Sequence, residues 1–162
     1  MKGFFIFTLL LEQQQRYTLG KKDKLKSAKL IEQLFKEGKS FSVFPFRVLY
    51  LYLEAPASSD LQTASNKPNA GVSGYLQTAF SVSKKYFKKA TDRNRIKRLM
   101  REGWRLQQNV LKSKPGGSNK KLSVFIIYTG NELPEYELVF KKMTAVITRL
   151  IKICNEATVT NT

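Results

Sequence analysis

The chain has 162 residues, enough for one domain, and carries 29 Lys and Arg against 12 Asp and Glu, a formal charge of +17. It has no histidine and a single cysteine, which excludes a Ser-His-Asp or Cys-His site, an intrachain disulfide and a thiolate metal-cluster partner. Eleven Phe, seven Tyr and an apolar fraction of 42% argue for a packed core, and a pI near 10.1 points to nucleic acid or an anionic membrane surface.

Residues 1–16 open with Lys2 and the apolar run GFFIFTLLL, shaped like the start of a secretory signal. The run is too short to span a membrane, and Glu12, Gln13, Gln14 and Gln15 stand where a small-residue cleavage site belongs. We read 1–16 as a disordered or weakly docked extension, 17–155 as the domain and 156–162 as a flexible tail.

The first predicted helix runs over Ala28–Glu37. Ser27 caps it, Leu30, Ile31, Leu34 and Phe35 form its apolar stripe, and Gly38 stops it. A strand follows over Phe46–Leu53, with Phe46, Val48, Tyr50 and Tyr52 on one face and Arg47, Leu49, Leu51 and Leu53 on the other. Residues 54–73 are polar, hold two prolines and read as a mobile loop. A second strand covers 74–82. The next helix is predicted over Arg93–Lys112, capped by Thr91 or Asp92 and stopped by Ser113–Gly117, with 118–121 as linker.

Leu122–Tyr128 is a central strand. A last helix starts with Pro134 in its first turn and reaches Asn155, burying Val139, Met143, Val146, Ile147, Leu150 and Cys154 as a free thiol. Helices packed on one face of a mixed sheet, with a further short strand in the loop region, would bury these stripes. The basic helix between two strands implies a β-α-β crossover, for which a right hand is the general default.

Lys84–Arg105 holds ten basic and two acidic residues, a net +8 of the chain's +17. On a helix, Arg93, Lys97, Arg101 and Arg105 recur every fourth residue with Arg98 beside them, while Ile96, Leu99, Met100, Leu106 and Val110 take the opposite side. Solvated helical faces usually alternate Lys or Arg with Glu; here the cations repel one another, and only Glu102 (answering Arg98) and Asp92 compensate. Guanidinium forks suit phosphates, and Asn94 can read a base edge or a 2′-hydroxyl. Lys84, Lys85, Lys88 and Lys89 extend the positive surface upstream. Engagement of about five phosphates gives a log–log salt slope of about −4.

SVSKK (81–85) followed by RNRIKRLMRE (93–102) closely resembles the signature of the protein subunit of bacterial ribonuclease P. LGKKDKLKSAKLIEQLFKEGKSF (19–41), FRVLYLY (46–52) and SVFIIY (123–128) with the helix after it also fit, so the resemblance covers about residues 17–154. It implies an α/β fold of α+β two-layer type, in the order α-β-β-β-α-β-α, with a four-stranded mixed sheet and a left-handed crossover like that of a ribosomal protein domain. It implies a cytoplasmic ribonucleoprotein in which ribonuclease P RNA carries the chemistry and Mg²⁺, and the protein binds that RNA and the 5′ leader of precursor tRNA.

The resemblance carries RNA binding onto Lys84, Lys85, Lys88, Lys89, Arg93, Asn94, Arg95, Lys97, Arg98, Arg101 and Arg105. The leader cleft falls to Ile31, Phe35 and Tyr50, with Phe46, Val48 and Tyr52 as alternatives on the same strand. Three Asp and nine Glu, scattered through the chain, offer no convergent carboxylates for a protein-held metal or a catalytic group. A structural RNA-binding protein of ribosomal type would share the charge and the fold; an anionic-membrane protein would rest on residues 3–11.

Overall fold

The structure is a computed structural model that describes residues 18–54, 76–112 and 120–159. The extension expected over 1–16, the loop over 55–73 and the helix stop at 113–117 lie outside the described residues. Seven elements follow in the order α1 (Ala28–Glu37), β1 (Lys39–Val43), β2 (Phe46–Glu54), β3 (Leu76–Val82), α2 (Ala90–Lys112), β4 (Lys120–Tyr128) and α3 (Tyr136–Val159). The expected fourth strand is β1, placed before β2. A turn containing the cis Phe44–Pro45 peptide joins the two.

The sheet order is β1-β2-β4-β3. β1 and β2 pair antiparallel with Val43 opposite Phe46, β2 and β4 pair antiparallel with Tyr50 opposite Val124, and β3 runs parallel to β4 with Phe80 opposite Ile126. A parallel pair needs a crossover, and α2 supplies it.

α1 follows its sequence signals closely. Ser27 accepts from the Leu30 N–H at 3.5 Å, and the Gly38 N–H closes the helix on the Leu34 carbonyl at 3.0 Å. Gly38 is needed for space: a Cβ there would collide with the Leu34 carbonyl and crowd the Tyr50 carbonyl at 3.3 Å.

α2 begins earlier than expected, so Thr91 and Asp92 lie within its first turn instead of capping it. Asp92 still opposes the positive end of the helix. Its buried side is Ile96, Met100, Gly103, Trp104, Gln108 and Leu111. Val110, expected to be apolar-facing, is exposed, and Trp104 and Leu111 take the core positions. The stripe fails there because residues four apart advance by about 40° around a helix, which carries the buried line from Ile96 through Trp104 to Leu111.

α3 starts at Tyr136, leaving Pro134 ahead of the helix, and runs to Val159, so most of the expected tail is helical. Its inner face is Val139, Met143, Val146, Ile147, Leu150 and Cys154, all buried as read from the sequence. The Tyr52 hydroxyl donates to the buried Cys154 Sγ at 3.1 Å.

The helices do not share one face. α2 and α3 cover the face that carries Phe46, Val48, Leu122, Val124, Ile126 and Tyr128, and Trp104 meets Phe80 edge-on at 6.2 Å. α1 covers the other face, where Leu25, Leu34 and Leu49 form a small cluster flanked by Leu30, Ile31, Leu51, Ala79, Phe125 and Ile127. Strand side chains alternate between faces, and both faces of β2 and β4 carry large apolar side chains, so each face requires its own cover.

Ahead of α1, residues 18–26 form a strap along the edge of β3. Thr78 donates to the Asp23 carbonyl at 2.8 Å and accepts from the Leu25 N–H at 3.1 Å. Lys112 Nζ meets Asp23 Oδ2 at 2.9 Å, and Gln108 Nε2 donates to the Thr18 carbonyl at 3.1 Å. These bonds occupy the open edge of β3 and tie the strap to α2.

Candidate RNA interface

The basic segment is a turn followed by a helix. Phe87 is buried against Tyr128 at 5.9 Å and anchors the turn, while Lys84, Lys85, Lys88 and Lys89 around it are exposed. Alternation of one aromatic anchor with solvent-facing lysines fixes where the charges stand. Arg93 lies half-buried, and its Nη1 donates to the Phe87 carbonyl at 2.8 Å and the Lys88 carbonyl at 2.6 Å. Arg93 thus braces the lysine turn against the start of α2.

Along α2, Asn94, Arg95, Arg98 and Arg101 are exposed, and Lys97 is half-buried. Arg105 is engaged: its Nε donates to Glu102 Oε2 at 3.0 Å and its Nη2 to Oε1. Glu102 therefore answers Arg105 in place of Arg98. That hydrogen bond holds the Glu102 carboxyl below the usual carboxylate range and pushes the Arg105 guanidinium up. The every-fourth-residue set does not share one direction: Arg93 starts near the buried side and Arg105 ends about a third of a turn further round. The outward cations are instead Arg95, Arg98 and Arg101 with the four lysines.

The aromatic positions divide between the two faces of the sheet. Ile31 and Phe35 stand on the α1 side, and Phe35 is 51% exposed with its ring edge-on to Phe125 at 5.2 Å. Phe46 and Val48 are sealed in the main core on the opposite face. Tyr50 and Tyr52 pack against that same core, 6.3 Å apart, with Phe41 6.0 Å from Tyr50. Phe46 and Val48 are thus closed off from α1, whereas half-buried Tyr50 and Tyr52 line a hollow with Glu37 and Lys39 at the end of α1. The face next to α1 carries Leu49, Leu51, Phe125 and Ile127, with Arg47 exposed at the same side of β2. A one-residue shift of register moves every strand side chain to the other face, so Tyr50 and its neighbour Leu49 point to opposite sides of the sheet. Phe125 went unnoticed in the sequence, although its place in SVFIIY, opposite Leu49 across the β2–β4 pair, marks it once the face of Leu49 is known.

No group of three or more His, Cys, Asp or Glu side chains gathers among the described residues. Among the described residues the carboxylates are not arranged for an all-protein Mg²⁺ site, which needs convergent oxygen ligands. None of the described helices is long and apolar enough to cross a membrane.

A family model described as Ribonuclease P matches residues 19–151. The chain belongs to the ribonuclease P protein family. It is 30% identical over 134 residues to the ribonuclease P protein component of Porphyromonas gingivalis, covering 83% of this chain and 87% of that one. The corresponding protein of Chlorobium phaeobacteroides is also 30% identical over 134 residues, covering 78% and 84%. Among solved structures, the RNase P protein of Thermotoga maritima superposes with a TM-score of 0.53 at 23% identity, over 78% of this chain and 96% of that one, a likeness of fold. Membership places the chain in tRNA processing as a component of a ribonucleoprotein, with RNA as its partner.

Proposed function

We propose that this chain binds the RNA subunit of ribonuclease P through the lysine turn and the outward face of α2, and holds the 5′ leader of precursor tRNA against the α1 side of the sheet. The RNA subunit, with Mg²⁺ held mainly by that RNA and the substrate, carries the hydrolysis in the cytoplasm. The observation that carries this reading is the set of exposed cations on the turn (Lys84, Lys85, Lys88, Lys89) and on the outer face of the core-packed α2 (Arg95, Arg98, Arg101) in a member of this family. A polyanion neutralises their mutual repulsion and releases counterions on binding. The half-open apolar strip of Phe35, Phe125 and Ile127 suits bases of a single strand, which can stack on aromatic faces without sequence preference.

Reconstitution tests the proposal. The purified chain alone should leave precursor tRNA intact and should restore cleavage by its cognate RNA at low Mg²⁺. It should also favour precursor over mature tRNA in the assembled complex. No stimulation overturns the enzyme role. Stimulation without leader preference removes the cleft from it.

A further inference from the structure

Leu19 and Lys24 of the strap and Arg98, Leu99, Arg101, Glu102 and Arg105 of α2 surround a hollow of about 450 Å³. That lies within the range of small-ligand sites, roughly 300–1,000 Å³. We propose that it receives one unpaired RNA nucleotide, the base resting on Leu19, Leu99 and the Arg105 guanidinium and the phosphate on Lys24, Arg98 and Arg101. The proposal rests on the reading of α2 as an RNA-facing helix and names a subsite within it.

Three features separate this hollow from a merely solvated basic face. First, its two walls are already fastened together. The Lys112–Asp23 ion pair, the Gln108–Thr18 hydrogen bond and the pairing of the strap with β3 hold it in the absence of ligand. A preformed site loses less on binding than a flexible one. Second, its floor is apolar. Leu19 and Leu99 pack against the main core on one side and remain half-buried on the other, whereas phosphate attraction alone requires no such floor.

Third, a carboxylate stands among cations that are meant for phosphate. Glu102 does not oppose the ligand, because both of its oxygens accept from Arg105. Glu102 is a carboxylate at neutral pH, and its hydrogen bond with Arg105 lowers its pKa further, so the fork stays closed. A guanidinium held through Nε and Nη2 by one carboxylate presents a fixed flat face, and RNA bases stack on such planes. Duplex RNA keeps its bases stacked inside the helix, so only an unpaired nucleotide can use the wall and the floor together.

The test uses the full-length protein with pentaadenylate RNA and with the same RNA lacking its central base, so that phosphate charge is equal. Intact RNA should bind about fivefold tighter, near the lower end of measured base-stacking effects. In ¹⁵N NMR titrations it should move the amide signals of Leu19, Leu99 and Glu102, and Phe35→Ala should leave those movements in place. Glu102→Gln, which keeps the shape and loses the ion pair, should bring the affinity ratio towards one. Equal affinity for the two RNAs, or signal changes confined to the lysine turn, overturns the pocket. A lowered melting temperature in Glu102→Gln with an unchanged ratio also overturns it, since the pair is then only a structural brace. Reconstituted cleavage is an independent readout: its failure with base discrimination intact removes the enzyme role, and the reverse pattern removes the pocket alone.

Discussion

On the α2–α3 side of the sheet, Phe46, Val48, Val124 and Ile126 are shut off from solvent beneath two long helices, whereas on the α1 side Leu51, Phe125 and Ile127 stay half-buried beside a ten-residue helix. The α1 face is the more polar in sequence, with Arg47, Gln77, Ser81, Lys121 and Ser123 beside its leucines, yet it still carries Leu51, Phe125 and Ile127 that a longer helix would cover. The covered face does the folding. The half-covered face keeps apolar surface in contact with water, at a cost of about 25 cal/mol per Å² that burial would recover, and this is the usual mark of a surface meant for a partner.

The largest effect that sharpens this contrast is in stability. Phe46→Ala should destabilise the fold by about 3–5 kcal/mol, because a large side chain leaves a cavity in a close-packed layer. Phe35→Ala, on the exposed side of α1, should change stability by no more than about 0.5 kcal/mol. Urea denaturation monitored by Trp104 fluorescence measures both. Similar losses for the two variants would mean that the faces are not divided between folding and binding.

Next is the charged surface. Replacing Arg95, Arg98 and Arg101 together with Ala should lower the slope of log affinity against log salt by about 2, at about 0.7 per lost phosphate contact with unpaired RNA. The melting temperature should hold or rise, since like charges at neighbouring helical positions are separated. Arg93→Ala should behave differently, because Arg93 ties the Phe87 and Lys88 carbonyls to the helix. Its loss should loosen the lysine turn, visible as faster amide exchange over 84–89.

The contrast also explains what could be read from sequence. α1 and the inner stripe of α3 were legible because their caps and spacing are local signals, and the RNR segment because charge density survives any error of register. The cleft was not legible at β2. Phe46-Arg-Val-Leu-Tyr-Leu-Tyr-Leu53 is apolar on both sides, so alternation cannot say which face meets α1. The aromatic side looked like the binding side, yet packing sends Phe46 into the core and leaves leucines facing α1. The partners of Arg93 and Arg105 were hidden for another reason: each depends on a turn geometry or rotamer that no spacing rule specifies.

A smaller effect is expected at the cleft itself. Phe35→Ala and Phe125→Ala should each weaken binding of the precursor leader by about 1–3 kcal/mol if a base stacks there, without altering affinity for mature tRNA. Equal losses for precursor and mature tRNA would move the leader away from the α1 face.

The smallest effect concerns the covered face and appears only in alkali. Burial, followed by the nearby Glu132, raises the pKa of Tyr128, and burial, followed by Glu156, raises that of Tyr50. For a phenol raised above its unfolded value of about 10, the unfolded chain loses its proton first as pH rises. The native state then binds more protons than the unfolded state, so stability is level below about pH 10 and falls above it. Tyr128→Phe should flatten part of that fall. It should also remove the hydrogen bond from the hydroxyl to the Glu132 carbonyl (2.7 Å), lowering stability by about 1 kcal/mol at neutral pH. The difference between wild type and variant should therefore narrow from about pH 8 to about pH 11, with Tyr50 keeping some alkaline slope in both. Lysine titration is common to the two proteins and cancels in the difference. A gap that stays constant across that range would mean that Tyr128 ionises as readily in the folded chain as in the unfolded one, and that this end of the covered face admits water.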